Sequence, residues 1–263
     1  MKVSDIKNSP PHILLYGRPG TGKTLLSLTL GEHAQVIDMD GGLRSGVTHK
    51  DKFTEHRMKV DVIQCLEDDP QRAVAFSKAK LSIDSIVTQC RNGTYPFKAL
   101  ILDNLTCLAD FAMRNVLGAG GAGNPPQIQH YGMAFIQIQQ VMLSLRFLPI
   151  VVVLCAHDQR DTIDKEDVRE VAVQGKNLPA KITSFFDEVL YTKIIPGQGT
   201  SNQFVLQAQS SAAVTARSRG SLKDNTPQDF GLPKILELIG FDWENFKSPQ
   251  GQKLVASPSP KQS

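Results

Sequence analysis

The chain has 263 residues, 41% of them apolar, and 29 Lys and Arg stand against 26 Asp and Glu. The apolar share suffices for a sizeable core and excludes a disordered chain, while a net charge of +3 is too small to mark a nucleic-acid binder by composition alone. Cys65, Cys90, Cys107 and Cys155 form no C-x-x-C pair, so they read as buried thiols of a reducing cytosol rather than as a zinc site. The first residues are polar, so no signal peptide is expected. The longest apolar run, 147–156, is too short for a membrane span and contains Pro149.

In chain order, short strand-like runs alternate with longer helix-like stretches, and no repeat recurs. Residues 12–16 predict a strand that runs into a Gly-rich turn, followed by a helix over 24–31 and a second strand over 34–38. A third strand is expected over 60–65, then a helix over 70–90 whose Phe76, Ala79, Ile83, Ile86, Val87 and Cys90 share one face. The fully apolar 99–102 reads as a central strand of a parallel sheet. A helix over 126–147 places Ile128, Tyr131, Phe135, Ile138, Met142 and Leu145 on a stripe expected to pack on the sheet, and 150–155 is again a buried strand. Residues 188–195 and 203–208 predict a hairpin around Pro196-Gly197-Gln198-Gly199, with a further strand over 212–216 and a helix over 233–239. This order predicts an α/β fold of three layers with a mostly parallel sheet over residues 1–246, followed by a disordered Pro/Ser/Lys tail over 247–263. Lys247, Lys253 and Lys261 carry the whole net charge, so residues 1–246 balance at 26 basic and 26 acidic groups.

The segment Gly17-Arg18-Pro19-Gly20-Thr21-Gly22-Lys23-Thr24 matches G-x-x-x-x-G-K-[ST] in full, between a strand and an apolar helix. Its glycines let backbone N–H groups converge on phosphates, and the helix N-terminus adds its dipole. Lys23 is expected on the β- and γ-phosphates of ATP and Thr24 on Mg²⁺, with Leu25 completing the nucleotide-binding set. Leu100-Ile101-Leu102-Asp103 is an apolar strand ending in a carboxylate, which makes Asp103 the second metal anchor; an Asp that caps the next helix, at Asn104, is the alternative. Asn104 stands where many ring ATPases carry a water-activating Glu. Asp38 and Asp40, at the end of the second strand, are the acids that could serve instead, or they could be turn residues before Gly41-Gly42.

These features, in this order, resemble the RecA/RadA-like core ATPases. Ile37-Asp38-Met39-Asp40 is similar to that family's I-D-x-E, which implies that Asp40 is the catalytic acid, one methylene short of the usual Glu. Ala156-His157-Asp158 ends the strand where family members place a γ-phosphate-sensing Gln or His, which implies that role for His157. Arg217 and Arg219 resemble the basic finger that reaches a neighbouring subunit's nucleotide. Two segments coincide with the family's DNA-contacting loops: the Gly-rich 117–127 and the charged 158–176, where acids outnumber bases. With the phosphate loop starting at Gly17 and no sizeable domain expected after the core, the chain resembles short RecA-core proteins of bacteriophages, which anneal or recombine single strands. Gly175-Lys176-Asn177-Leu178-Pro179 and Phe186-Asp187-Glu188-Val189 are similar to that group.

The resemblance implies a Mg²⁺-dependent, DNA-stimulated ATPase of the host cytoplasm. It would bind single-stranded DNA, associate head to tail as ring or filament, and work beside a single-strand-binding protein, with no membrane. Alternatives are a regulator or scaffold of the same fold acting on protein partners, motivated by the acidic 158–176, and a small-molecule kinase, for which no Arg-rich lid is evident.

Overall fold

The apolar runs form the sheet because each is short, rich in branched side chains and stopped by Gly or a polar residue. A computed structural model describes residues 9–67, 72–118, 125–163, 166–173, 178–197 and 202–256. Strands β1 (His12–Gly17), β2 (Ala34–Asp38), β3 (Asp61–Gln64), β4 (Ala99–Asp103) and β5 (Val151–Ile163) pair in parallel in the order β3-β2-β4-β5-β1. Strand β7 (Glu188–Ile195) adds in parallel to the other side of β1. Strands β8 (Gln203–Gln207) and β9 (Thr226–Pro227) then continue antiparallel. With β6 (Glu166–Val171), which pairs only β5, the described residues form a nine-stranded, mostly parallel sheet. The expected α/β class is the observed one.

Helices cover both faces. Helices α4 (Ala75–Arg91), α5 (Leu105–Leu117) and α6 (Ile128–Leu145) lie on one, where Ile83, Leu108 and Ile138 bury against Leu100, Leu102 and Leu154. The other face carries α1 (Lys23–Ser27), its 3-10 continuation Leu28–His33 and α8 (Gly231–Leu238), packed on Ile13, Leu15, Ile101 and Val153. The short helices α2 (Arg44–Thr48), α3 (Thr54–Arg57) and α7 (Leu178–Thr183) lie between these elements in the chain. Because side chains alternate along a strand, successive residues of β4 feed the two cores in turn.

Several expectations need correction. The helix expected over 24–31 is α-helical only through Ser27. The Thr29 hydroxyl then donates to Leu26 O, and Gly31 turns the chain at φ 61°. Helix α4 begins at Ala75, and residues 68–71 of the expected 70–90 helix lie outside the described residues. The outer half of the α6 stripe does not pack: Ile128 is 92% and Tyr131 40% exposed, whereas Ile138, Met142 and Leu145 are buried. The stretch 212–216 contributes only isolated bridges, Val214 to Ser211 and Arg169.

The charged segment after His157 is a hairpin rather than a loop. β5 runs on to Ile163 and pairs with β6, with Asp158 opposite Val171 and Arg160 opposite Arg169. Its charges pair across the strands: Arg169 with Asp158 at 3.2 Å and Arg160 with Asp167 at 3.4 Å. Residues 119–124, 164–165, 174–177 and 198–201, which carry most of the Gly-rich loop, parts of the charged segment and the end of the turn after Pro196, lie outside the described residues. Composition predicts no structure after 247, yet Pro249–Ala256 forms helix α9, and the Gln250 N–H donates to Tyr95 O at 3.1 Å. The remainder of that tail, 257–263, is likewise outside them.

Candidate nucleotide site

The phosphate loop leaves β1 at the carboxyl end of the sheet, where an open α/β sheet places its ligands. Gly20 and Gly22 adopt φ of 77° and 91°, a region that costs a side-chain-bearing residue about 1–2 kcal/mol. The loop is fastened from behind. Thr21 Oγ1 lies 2.6 Å from Thr192 Oγ1, and Gln228 Nε2 donates to Thr21 O at 3.1 Å and to Val205 O at 3.2 Å. Gln228 Oε1 occupies the space that a Cβ on Gly22 would need. Arg18, Pro19 and Gly20 are exposed at the loop tip, and Leu25 is half-buried on α1.

Lys23 is 6% exposed and donates to Gly17 O at 2.8 Å and Arg18 O at 2.9 Å. Burial lowers its pKa, against the raising fields of Asp103, Asp158 and Asp40 among its neighbours. The ammonium is thus held inside the loop, bonded to carbonyls that cannot neutralise it.

Strand β5 separates β4 from β1, yet Asp103 comes beside the loop because both strands end at the same level. Thr24 Oγ1 donates to Asp103 Oδ2 at 2.7 Å. Burial pushes the Asp103 carboxyl up from 3.8 to about 6, opposed by the Thr24 hydrogen bond and reinforced by Asp40 and Asp38. Among the described residues no trio of His, Cys, Asp or Glu forms a metal cage. Thr24 and Asp103 offer instead two hard oxygens, a donor set that suits Mg²⁺ completed by phosphate and water.

The structure separates the two acids after β2. Asp38 is 1% exposed, and its Oδ1 accepts the Gly41 N–H at 2.9 Å, a turn-forming contact; burial raises its pKa. Asp40 is exposed. Its Oδ1 accepts the Gly42 N–H at 2.7 Å, and its Oδ2 accepts from Asn104 Nδ2 at 2.5 Å. The same Asn104 Nδ2 lies 3.4 Å from His157 Nε2. Burial, then the nearby Lys23 charge, lowers the His157 pKa and favours a neutral ring at pH 7. Asp40, Asn104 and His157 therefore meet at the ends of β2, β4 and β5.

Arg217 and Arg219 lie elsewhere. Arg217 Nη2 donates to Thr183 O at 2.9 Å and Phe186 O at 2.7 Å, and Arg219 pairs with Asp187 at 2.7 Å. The Asp187 N–H bonds to His12 O, at the start of β1, so Arg219 sits toward the end of the strands opposite the phosphate loop.

Sequence reading missed the wall beside the loop. A cavity of about 360 Å³ opens next to Gly22, bounded by Leu25, Phe53, Arg57, Phe204 and Gln228. Arg57, 5% exposed, holds it together: its Nε donates to Leu25 O at 3.2 Å, its Nη1 to His49 O at 3.3 Å, and its Nη2 pairs with Asp51. A buried arginine needs such partners, but nothing in the sequence near 57 announces them.

A comparison with curated proteins gives no match. The AAA_24 family model, described as an AAA domain, matches residues 9–220, from just before β1 to just after Arg219, and these include the phosphate loop, Asp40, Asp103 and His157. That span is well over half of the chain, and the chain belongs to this P-loop ATPase family.

Proposed function

We propose that the chain hydrolyses ATP, with Asp40 as the group that orients and deprotonates the attacking water, and that single-stranded DNA is its partner. The convergence of Asp40, Asn104 and His157 beside Lys23, Thr24 and Asp103 carries the hydrolytic part of this reading. The loop amides and Lys23 bind the phosphates. The cavity walled by Phe53 and Phe204 suits a flat, apolar-faced base next to Gly22. When bound at Thr24 and Asp103, Mg²⁺ supplies charge neutralisation of the phosphate oxygens. Asp40 takes a proton from water, and neutral His157 lies within reach of the same site as a hydrogen-bonding partner for the terminal phosphate.

The DNA part rests on the resemblance to RecA-like core proteins and on the place of the β5–β6 hairpin. That hairpin grows directly out of His157, so a change at the terminal phosphate has a short path to a projecting element. Asp158 is bound inside it by Arg169 and by the Tyr191 hydroxyl at 3.2 Å, so this acid of the segment does not face a phosphate backbone unpaired. Arg217 and Arg219, far from their own loop, serve a nucleotide only across a head-to-tail contact with a second copy. Such a contact gives a ring if it closes and a filament if it does not.

One observation favours a second reading, an ATP-driven regulator or scaffold on a protein partner. Met133, Ile136, Leu143 and Phe147 are 52%, 53%, 47% and 81% exposed, at helical spacing along and just beyond α6. Phosphate release with and without single-stranded DNA, with DNA retention at two salt concentrations, tests the choice. Stimulation and salt-sensitive retention support the DNA reading. Turnover indifferent to DNA, with no retention, overturns it and favours a protein partner.

A further inference from the structure

Asn104 is the N-cap of α5: its Oδ1 accepts the Cys107 N–H at 2.9 Å. Capping uses only that oxygen. Ser, Thr and Asp cap a helix about as well, but none of them combines a capping oxygen with two hydrogens on the same side chain. Those two amide hydrogens are surplus to the cap: Asp40 Oδ2 accepts one, and His157 Nε2 accepts the other when the ring carries its proton on Nδ1. Nδ2 stands 2.5 Å from Asp40 Oδ2 and 3.4 Å from His157 Nε2. The residue is 1% exposed, so its amide hydrogens have no bulk water to turn to.

We propose that Asn104 is a positioning residue for ATP hydrolysis, which fixes the Asp40 carboxylate and the His157 ring in one arrangement through the two hydrogens of its amide. The inference rests on the hydrolytic reading above. Asp40 sits in a Gly-flanked turn and has one methylene fewer than Glu, so its placement depends on what grips it. The Gly42 N–H holds Oδ1 and Asn104 holds Oδ2, which sets the plane of the carboxylate from two sides. His157 is gripped twice from the same helical turn. Asn104 faces its ring, and its main-chain N–H donates to Thr106 Oγ1 at 3.1 Å. Thr106 in turn donates to Ala172 O at 2.9 Å, and the Ala172 N–H returns to His157 O at 2.8 Å. The first turn of α5 thereby ties the acid, the ring and the base of the β5–β6 hairpin into one unit.

The test uses the full chain and two substitutions that keep the cap. Asn104→Ser removes both donors, and Asn104→Asp also places a second carboxylate against Asp40. Urea unfolding confirms that each variant folds. Steady-state phosphate release gives kcat and KM, and titration with a fluorescent ATP analogue at several Mg²⁺ concentrations gives nucleotide and metal binding. A loosened general base should lower kcat by about 10- to 100-fold. The expected result is that loss in Asn104→Ser and a larger one in Asn104→Asp, with KM, nucleotide affinity and Mg²⁺ dependence within about twofold of wild type. A purely structural cap would leave kcat unchanged in both, and that result overturns the proposal. A loss shared equally by affinity and kcat also overturns it, because it shows damage to the neighbouring Asp103 site. Asp40→Ala separates the two levels. If Asp40→Ala turns over as wild type does, the hydrolytic reading falls and this inference with it. If Asp40→Ala is inactive while Asn104→Ser and Asn104→Asp are unaffected, only this inference falls.

Discussion

Removing the charge of Asp103 should stabilise the nucleotide-free protein while it removes one of the two oxygens proposed to hold Mg²⁺. Burial holds this carboxyl at about 6 in the folded chain against an ordinary 3.8. A raised carboxyl means that the folded state keeps its proton while the unfolded chain has released it. Stability through this group is therefore complete below about pH 3.8 and is lost as pH rises through about 6. The full difference corresponds to about 3 kcal/mol, of which about 1.4 kcal/mol falls between pH 5 and pH 8. Asp103→Asn keeps an oxygen for the Thr24 hydroxyl and carries no such penalty, although its new amide hydrogens need partners, which offsets part of the gain. The pH dependence is cleaner than the absolute value, because all other carboxyls are shared by the two proteins. Urea unfolding without metal or nucleotide should show Asp103→Asn gaining about 1–2 kcal/mol on wild type between pH 5 and pH 8. That gain corresponds to roughly 3–6 °C in Tm for a domain of this size. With Mg²⁺ and ATP the order should invert, since ligand stabilises wild type alone. A constant difference at the two pH values would refute the reasoning, because burial would then not be acting on this carboxyl.

The other predictions concern the loop and its wall. Gly22→Ala places a Cβ on Gln228 Oε1 in a left-handed residue, and strain with overpacking of about 2–4 kcal/mol should weaken ATP affinity at least tenfold. Titration with a fluorescent ATP analogue checks it, and near wild-type affinity would contradict it. Arg57→Ala strips three partners from a buried network and should destabilise the chain by about 2–4 kcal/mol, read by urea unfolding. In the fraction that folds, KM for ATP should rise more than kcat falls, because Arg57 supports the wall and touches nothing that reacts; the reverse split would place it in the chemistry.

The parts of this fold legible in the sequence are those that water alone decides. Leu100-Ile101-Leu102 is buried on both faces, so its unbroken apolar run could only be a central strand. The phosphate loop was legible because few sequences satisfy its backbone demands. The start of helix α5 was weighed only as an alternative role for Asp103, and its extent was not read, although Asn104 is an N-cap followed by Leu105, Leu108, Ala109 and Ala112 at helical spacing. The β5–β6 hairpin was hidden for a different reason. Its strands are built from Asp158, Arg160, Asp167 and Arg169, whose charges look like a solvated loop until partners across the hairpin are known. The tail helix depends on Tyr95 O, more than 150 residues away in sequence. The site divides along the same line. Asp40 and Asp103 could be singled out because they stand at or just past strand ends. Asn104 was noticed as the absence of a Glu and as the place of a helix start, but not for its amide, because a positioning role exists only once Asp40 and His157 have been folded against it.

The central claim is that this loop hydrolyses ATP with Asp40 acting on water. Steady-state phosphate release by wild type, Lys23→Ala and Asp40→Ala, each shown to fold and assayed with Mg²⁺ and ATP, tests it most directly. The account predicts turnover by wild type, none above background for Lys23→Ala through lost nucleotide binding, and a loss of at least 100-fold in kcat for Asp40→Ala with ATP affinity about unchanged. Wild-type turnover in Asp40→Ala, or equal turnover in all three proteins, would contradict it.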